Sequence, residues 1–412
     1  MIISKAAKDS IKHIEPKLDN DNSPRGEILS SYGEKTAAGE RVSPEGSKGI
    51  STAYRASNII SDDVAKMPFQ QFNRVNGKVN QVEADASRNL AYLLQISPNV
   101  WGWTPFQFKK SVIQWQLFYG NAYVWMPPVL PRQLLILPAD RTKPVFDLEG
   151  NLWYEVRFSN TAKPEYIPSV EILHLLINPD ATGFVGRGVI TYARETLGRK
   201  LGMQKTESRF YSQGMNASGI LYVNINEIKD DEERNKIRRS FSDAVTGSEN
   251  AYNIAVADKR IVKFEPIAIH PKDAQFLEAI EATDRDIANF FGMPLHMLNM
   301  GKEAYNSNEQ KYGEYLQGTL DAYLVPWEEA ARIKWLTTEE QSTNYFKFNR
   351  ASLLRMNAKE RAETNEIKIR SGQMSPNEAR AKDDMNAYEN GDDFYMTNNY
   401  SVIGGTPDAE PA

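Results

Sequence analysis

Apolar positions recur at helical spacing most clearly between residues 271 and 336. Phe276, Ile280, Ile287 and Phe290 form one stripe with acids between them, which predicts an amphipathic helix over 272–291. Gly292 and Pro294 end it, because glycine takes the left-handed C-terminal position and proline cannot continue the ladder. Residues 299–308 (NMGKEAYNSN) carry almost no apolar anchor and predict a polar loop. A second stripe then runs through Tyr312, Leu316, Leu320, Tyr323, Trp327 and Ala331, predicting a helix over 307–336. Pro326 inside it predicts a kink, since it removes a backbone donor and clashes with the preceding turn.

Upstream, helical spacing over 53–67 (Ala56, Ile59, Ile60, Val64) stops at Pro68, and 69–72 reads as a strand entering an Asn76-Gly77 turn. Helices follow over 87–95 and 105–118, the latter with Phe106, Val112, Ile113 and Leu117 turned inward. Short β-type runs at 122–126, 133–137, 145–146, 152–158 and 171–177 predict one small antiparallel sheet on these three helices, an α+β domain. The glycine-rich connector 178–188 leads into a long helix over 189–213, with Ile190, Ala193, Leu197, Leu201, Gln204 and Ser208 on one face and Gly214 as its cap. A compact insert comes next: a strand at 220–223, a helix over 228–245 opening on Asp230, Asp231, Glu232 and Glu233, and strands at 253–257 and 261–269. Past 336 the pattern predicts short polar helices, one of them opened by a capping box of Ser375 and Glu378 with Pro376 at the first position. Residues 1–49 and the tail from 397 are polar and rich in turn formers, and predict disorder.

Composition narrows the chemistry. A chain of 412 residues with 41% hydrophobic and 25% charged content accommodates two or three globular domains. The absence of cysteine excludes disulfides, thiolate metal sites and cysteine nucleophiles. A formal net charge of -5 argues against a protein that grips nucleic acid over its whole surface. The first residues lack the apolar core of a signal peptide, and the most apolar region, 117–138, is broken by Gly120, Pro127, Pro128, Pro131 and Arg132. A membrane span needs about 20 uninterrupted apolar residues, so none is predicted.

Candidate catalytic features are few. His13, His174, His270 and His296 lie far apart and predict no metal site, with His174 read as a half-buried strand histidine. The run Gly183 to Gly188 has the dinucleotide fingerprint reversed and reads as a turn. The pairs Asp62-Asp63, Asp383-Asp384 and Asp392-Asp393 raise a metal-dependent nuclease as the alternative function. Adjacent helical residues do not face one site, however, so solvated helix ends are the expectation. The basic run 350–370 is interleaved with Glu360, Glu363 and Glu366 and predicts i,i+4 pairing. No cofactor and no enzymatic activity are expected.

Several phrases, taken in order, resemble the portal proteins of tailed bacteriophages in their siphophage-type branch. They are LFYGNAY at 117–123, ILHL at 172–175 leading to the Gly183/Gly186 connector, FYSQG at 210–214 with SGIL at 218–221, and DAQFLE at 273–278. Ile287-Ala288, FGMP at 291–294, NEQ at 308–310, Pro326, Gly372 and NEAR at 377–380 complete the series, which spans about 50–393. Met293 and His296 depart from the plainer residues usual in that family, and the first 49 residues match no pattern.

The resemblance implies a dodecameric ring at one capsid vertex through which double-stranded DNA enters and leaves, in contact with the terminase large subunit, a head–tail adaptor, and capsid and scaffold proteins. It implies a wing over 50–186, stem helices over 187–214 and 271–292, and a clip over 215–270. A tunnel loop region over 293–308, a kinked tunnel helix with its return to the wing over 309–357, and a helical crown over 358–396 follow. Under it, Lys302, Asn306, Asn308 and Lys311 would lie at the DNA channel, and Glu232, Glu233, Lys236 and Arg239 on a clip face turned to terminase or adaptor. The acids of the second stem helix, Glu278, Glu281 and Asp284, would repel DNA from the channel wall; solvating the hairpin or pairing between subunits remains open beside that.

Overall fold

A computed structural model describes residues 16–19, 35–159, 161, 163–213, 219–223, 231–232, 235–236, 239, 261–266, 274–300, 308–353, 358–382 and 385–395. The chain divides into two units, Met1–Asn349 and Arg350–Ala412.

In the first unit, ordered structure starts before residue 50, which corrects the expected disordered arm over 35–49. Strand β1 (Leu18–Asp19) pairs antiparallel with Phe146 and Asp147. Lys35 bridges Arg41, and Thr36 Oγ1 donates to the Glu40 carbonyl at 2.9 Å, closing a tight hairpin around Gly39. Val42 is fully buried, and α1 (Pro44–Ser47) follows with Ser43 accepting from the Gly46 N–H. The polar composition of this stretch concealed its small anchors, Thr36, Val42 and Ser47, all of which are buried.

Helix α2 (Ser51–Lys66) buries Ala53, Ala56, Ile60 and Val64, close to the expected stripe. Strands β2 (Phe69–Val75) and β3 (Lys78–Gln81) meet at the predicted Asn76-Gly77 turn, both of whose residues take positive φ. After α3 (Leu90–Gln95), helix α4 (Pro105–Tyr119) opens on a Thr104–Gln107 capping box and ends at Gly120 in the left-handed conformation. Phe106, expected inward, sits in its first turn and is exposed, whereas Val112, Ile113 and Leu117 are fully buried.

The expected single sheet is two sheets. Strand β4 (Asn121–Trp125), buried along its whole length, lies between β5 (Leu135–Leu137) and β9 (Ile172–Leu176). The other sheet runs β1, β6 (Thr142–Asp147), β7 (Leu152–Val156) and β8 (Glu165–Pro168). The two share one core, in which Tyr123, Trp125, Leu135 and Leu137 meet Tyr154, Val156 and Ile167. Apolar runs this short show a strand but not its partner, so the division into two layers was invisible to pattern alone.

Helix α5 (Val189–Gln213) has the predicted bounds. Strands β10 (Gly219–Val223) and β11 (Ile261–Pro266) pair antiparallel; the strand expected at 253–257 and most of the helix expected at 228–245 lie outside the described residues. Helix α6 (Ala274–Phe290) ends as expected at Gly292, at φ 62. Helix α7 (Asn308–Tyr315), a π-turn (Leu316–Leu320) and α8 (Asp321–Trp335) then form one run. Where short polar helices were expected, Asn344–Phe348 forms strand β12, paired with β2. Its Phe346 and Phe348 are buried against Phe69, with ring centroids 5.7 and 4.3 Å apart.

The second unit holds α9 (Ala358–Arg370) and α10 (Pro376–Lys382). The predicted capping box is present, with the Ser375 N–H donating to Glu378 at 2.9 Å and the Glu378 N–H donating to Ser375 Oγ at 3.2 Å. Arg370 and Glu366 make the expected i,i+4 pair at 3.3 Å, though both are too exposed for it to matter much. Asp392 is held as an acceptor by Asn377 at 3.0 Å.

Candidate functional site

The long hairpin of α5 and α6 is built on a short buried seam. On α5 the seam is Ile190, Ala193, Leu197 and Lys200, spaced three and four apart, and on α6 it is Thr283, Ile287 and Ala288, with Phe291 just past its end. Beyond Lys200 the face expected to continue through Leu201, Gln204 and Ser208 is no longer fully buried. Phe290, expected in the apolar stripe, is 42% exposed. Across the seam Lys200 Nζ lies 2.7 Å from Asp284 Oδ2, and Thr52 Oγ1 of α2 donates to the other carboxylate oxygen at 2.7 Å. Asp284 therefore faces inward, ties three helices together, and is not on an open acidic stripe. Glu278 and Glu281 are exposed on α6, the latter 3.8 Å from Arg285.

At the end of the hairpin, Thr319 of the π-turn donates to the Gly292 carbonyl at 2.5 Å. A π-turn adds a residue to the helical repeat and displaces the backbone bonds on either side. The irregularity in the run from Asn308 to Trp335 therefore includes a π-turn upstream of Pro326, which sits inside α8. Beyond it α8 is anchored by Trp327, whose ring packs 5.6 Å from Phe348 and 5.8 Å from Phe69. Tyr315, next to the π-turn, is 1% exposed; burial drives its phenol pKa up, and the charge of Asp63 adds to that.

A polar hub fixes the glycine-rich connector. Asn121 donates to the Gly186 carbonyl at 2.8 Å and the Tyr119 carbonyl at 3.0 Å, while its oxygen accepts from the Gly186 N–H at 2.7 Å. That amide orientation leaves His174 Nε2, 3.0 Å from the same oxygen, as a donor. His174 Nδ1 then accepts from Tyr154 at 3.2 Å, and the ring stacks on Tyr123 at 4.3 Å. The histidine is partly buried on β9, as its position predicted. Desolvation, with the Lys334 charge behind it, pushes its pKa down to about 3.

A stability effect follows with a definite sign. The unfolded imidazole takes up its proton near pH 6.5, whereas the folded one holds out to about 3. Stability from this site is complete above pH 6.5 and is lost as pH falls toward 3, at up to ~1.4 kcal/mol per pH unit. Melting curves from pH 7 to 5 should fall more steeply for the native chain than for His174→Gln; parallel pH profiles would contradict this account.

The described parts of the other expected site positions are scattered. Lys311 is partly exposed on α7, Asn308 is the first residue of that helix, and Lys302 and Asn306 lie outside the described residues. Glu232, Lys236 and Arg239 are exposed, while Glu233 lies outside the described residues. The Asp62-Asp63 pair is split between two cations, Lys110 at 2.6 Å and Lys66 at 2.8 Å, and Asp383-Asp384 falls outside. Among the described residues no group of three or more histidines and carboxylates is placed to hold a metal, and no helix is long and apolar enough to cross a membrane. What the sequence missed is the seating of the 35–42 hairpin on α5. The signal was present as Gly198 and Gly202, one turn apart in a helix that has no need of glycine.

Comparison with known proteins gives a consistent result. The family described as phage portal protein matches residues 51–384. The portal protein of Enterobacteria phage HK97 is 25% identical over 353 residues, covering 83% of this chain and 80% of its own. The crystal structure of an HK97-family phage portal protein from Corynebacterium diphtheriae superposes with a TM-score of 0.55 at 16% identity, over 75% of this chain and 95% of that one. A chain from the neck of a native gene transfer agent particle, computed with C12 symmetry, superposes with a TM-score of 0.51 at 17% identity, over 89% and 95%.

Proposed function

The chain belongs to the phage portal protein family, and we propose that it is the repeating subunit of a dodecameric ring at one vertex of a capsid. In this reading the ring is the conduit for double-stranded DNA during packaging and ejection, and it docks the terminase large subunit and then a head–tail adaptor. Capsid and scaffold proteins surround it, and it assembles in the host cytoplasm before becoming part of the virion.

The observation that carries this reading is the α5–α6 hairpin. Its two helices are locked at the base by Lys200, Asp284 and Thr52 and are separated by the insert that contains β10 and β11. In this reading the hairpin carries the insert as a small module, and the fold shared with a chain of a C12 neck supports a twelvefold ring. A closed ring of identical subunits needs two different complementary faces on each, which a hairpin offers on its two sides. The 299–308 segment follows α6 after only the Gly292 turn and a 3₁₀ helix (Leu295–Leu298), so every copy would place Lys302, Asn306 and Asn308 at the same level of the ring.

Native mass spectrometry of the purified chain tests the reading, with a single high-order closed assembly as the expected result. A chain that stays monomeric from low to high concentration and salt would overturn it. Deleting Lys302–Ser307 is expected to leave that assembly intact and to impair packaging or retention of the genome. Loss of the folded protomer on deletion would make the segment part of the core instead.

A further inference from the structure

We propose that the 35–42 hairpin and α5 together form a cationic seat that receives the acidic outer edge of α6 from a second copy of this chain. The proposal rests on the ring reading above and says which surfaces meet. Helix α5 carries five basic and two acidic residues, whereas α6 carries four acidic and one basic. Three ion pairs of α5 bases are closed inside the protomer, Lys200 with Asp284, Arg194 with Glu195 and Lys205 with Glu40. The remaining imbalance leaves each hairpin with a basic side and an acidic side.

The basic side has a built shape. A Cβ at Gly198 would lie 2.3 Å from Thr36 Oγ1, so the hairpin touches the helix backbone there, and Ala38 lies over Gly202 at 3.7 Å. The Ala37 N–H donates to Glu195 at 2.9 Å, and Lys205 pairs with Glu40. Those contacts satisfy Glu195 and Glu40, and the remaining acid of α5, Glu207, is exposed toward its C-terminal end. Beside them lies a groove of about 420 Å³ whose wall includes Arg199, Met203 and Lys205. Arg199 is exposed and makes no ion pair with a described residue.

The acidic side is Glu278 and Glu281, exposed and turned away from the buried seam of α6. Glu278 likewise pairs with no described residue, and Glu281 has only the distant Arg285. In a rotational ring the α5 side of one copy meets the α6 side of the next, so a basic seat and an acidic edge complement each other at every interface. Pairing of this kind sets register and orientation, and it weakens with salt. It also gives the acids of this helix a partner other than the DNA channel.

The test is a charge swap read by native mass spectrometry at low salt. Arg199→Glu alone and Glu278→Arg/Glu281→Arg alone are each expected to require at least about tenfold more protein to form the ring. All three positions are exposed, so circular dichroism and melting of the protomers should be unchanged. Mixing the two variants one to one should restore rings of alternating composition, because every interface is then complementary again. The triple variant in one chain should restore them as well. If the native chain forms no ring, the ring reading itself falls. If it forms rings and the variants assemble like the native chain, or if the mixture fails to rescue, the pairing is overturned and the ring reading stands. Variants that assemble normally but lose retention of duplex DNA would likewise overturn the pairing and return these acids and Arg199 to the channel wall.

Discussion

Gly186→Ala is expected to abolish cooperative folding of the first unit, and among single methyl additions at the described glycines it should be the most damaging. A Cβ at that position would sit 2.1 Å from the Gly120 carbonyl oxygen and 2.6 Å from that of Ile177. Neither neighbour is the movable end of a side chain. Gly120 holds the left-handed position that ends α4, and a Cβ on it would strike the Gly186 and Arg187 backbone at 2.4 to 2.5 Å. Gly188 meets the Phe118 carbonyl at 2.4 Å in the same way. Three glycines therefore let the end of α4 and the start of α5 cross in backbone contact, and Asn121 closes the crossing through Gly186. Overpacking among side chains costs about 1–3 kcal/mol; with backbone on both sides nothing can rotate away, so a loss above about 4 kcal/mol is expected. Gly150→Ala is the control: it also sits at positive φ, but its Cβ meets nothing within 4 Å, so only the ~1–2 kcal/mol cost of the left-handed region applies. Thermal melts followed by near-ultraviolet circular dichroism separate the two. A Gly186→Ala protein that melts within a few degrees of the native chain would show that the crossing is not as tight as its geometry states.

That crossing also shows where sequence reading stops. Gly186 and Gly188 were legible as a turn in the connector 178–188, and Gly120 as the end of a helix. Nothing in their local pattern says that the two turns, joined by Asn121 and Gly186 across 65 residues, are the same piece of structure. The same limit explains the sheet. Each strand run was visible from β-branched and aromatic residues bounded by Pro, Gly and Asp, but pairing is a non-local fact, and β12 was hidden behind a polar stretch that ends in NYFKF. Long periodic segments fared best, since α5 and the end of α6 are fixed by local periodicity and by Gly292. The π-turn was illegible because Leu316 and Leu320 satisfy an ordinary helical stripe, and the Thr319–Gly292 bond made within it reaches another element. Among the site residues, exposure of Glu278 and Glu281 follows from their place between apolar positions. The inward turn of Asp284 does not, because an acid on the buried side of a helix looks from its spacing like any other acid until Lys200 and Thr52 are found beside it.

The second large effect tests that last point. Asp284→Ala is expected to destabilise the first unit by about 3–5 kcal/mol, since it leaves the ammonium of Lys200 without its counter-charge at a site where the lysine side chain is only 7% exposed. It also removes the acceptor of Thr52 Oγ1, and with it the link from the hairpin to α2. Lys200→Met/Asp284→Leu in one chain should recover most of that loss. Desolvating two charges offsets much of what their attraction contributes, and apolar groups of similar volume fill the same space without it. Asp286→Ala supplies the exposed comparison, for which less than about 0.5 kcal/mol is expected. Urea unfolding of the four chains gives the differences directly. If Asp284→Ala costs no more than Asp286→Ala, the carboxylate is not needed by the protomer and the acidic stripe along α6 is continuous after all. If the single variant is costly and the double variant is not, the pair fixes how the hairpin leaves α2, and of the acids on α6 only the exposed ones, Glu278, Glu281 and Asp286, remain available to whatever passes or packs beside it.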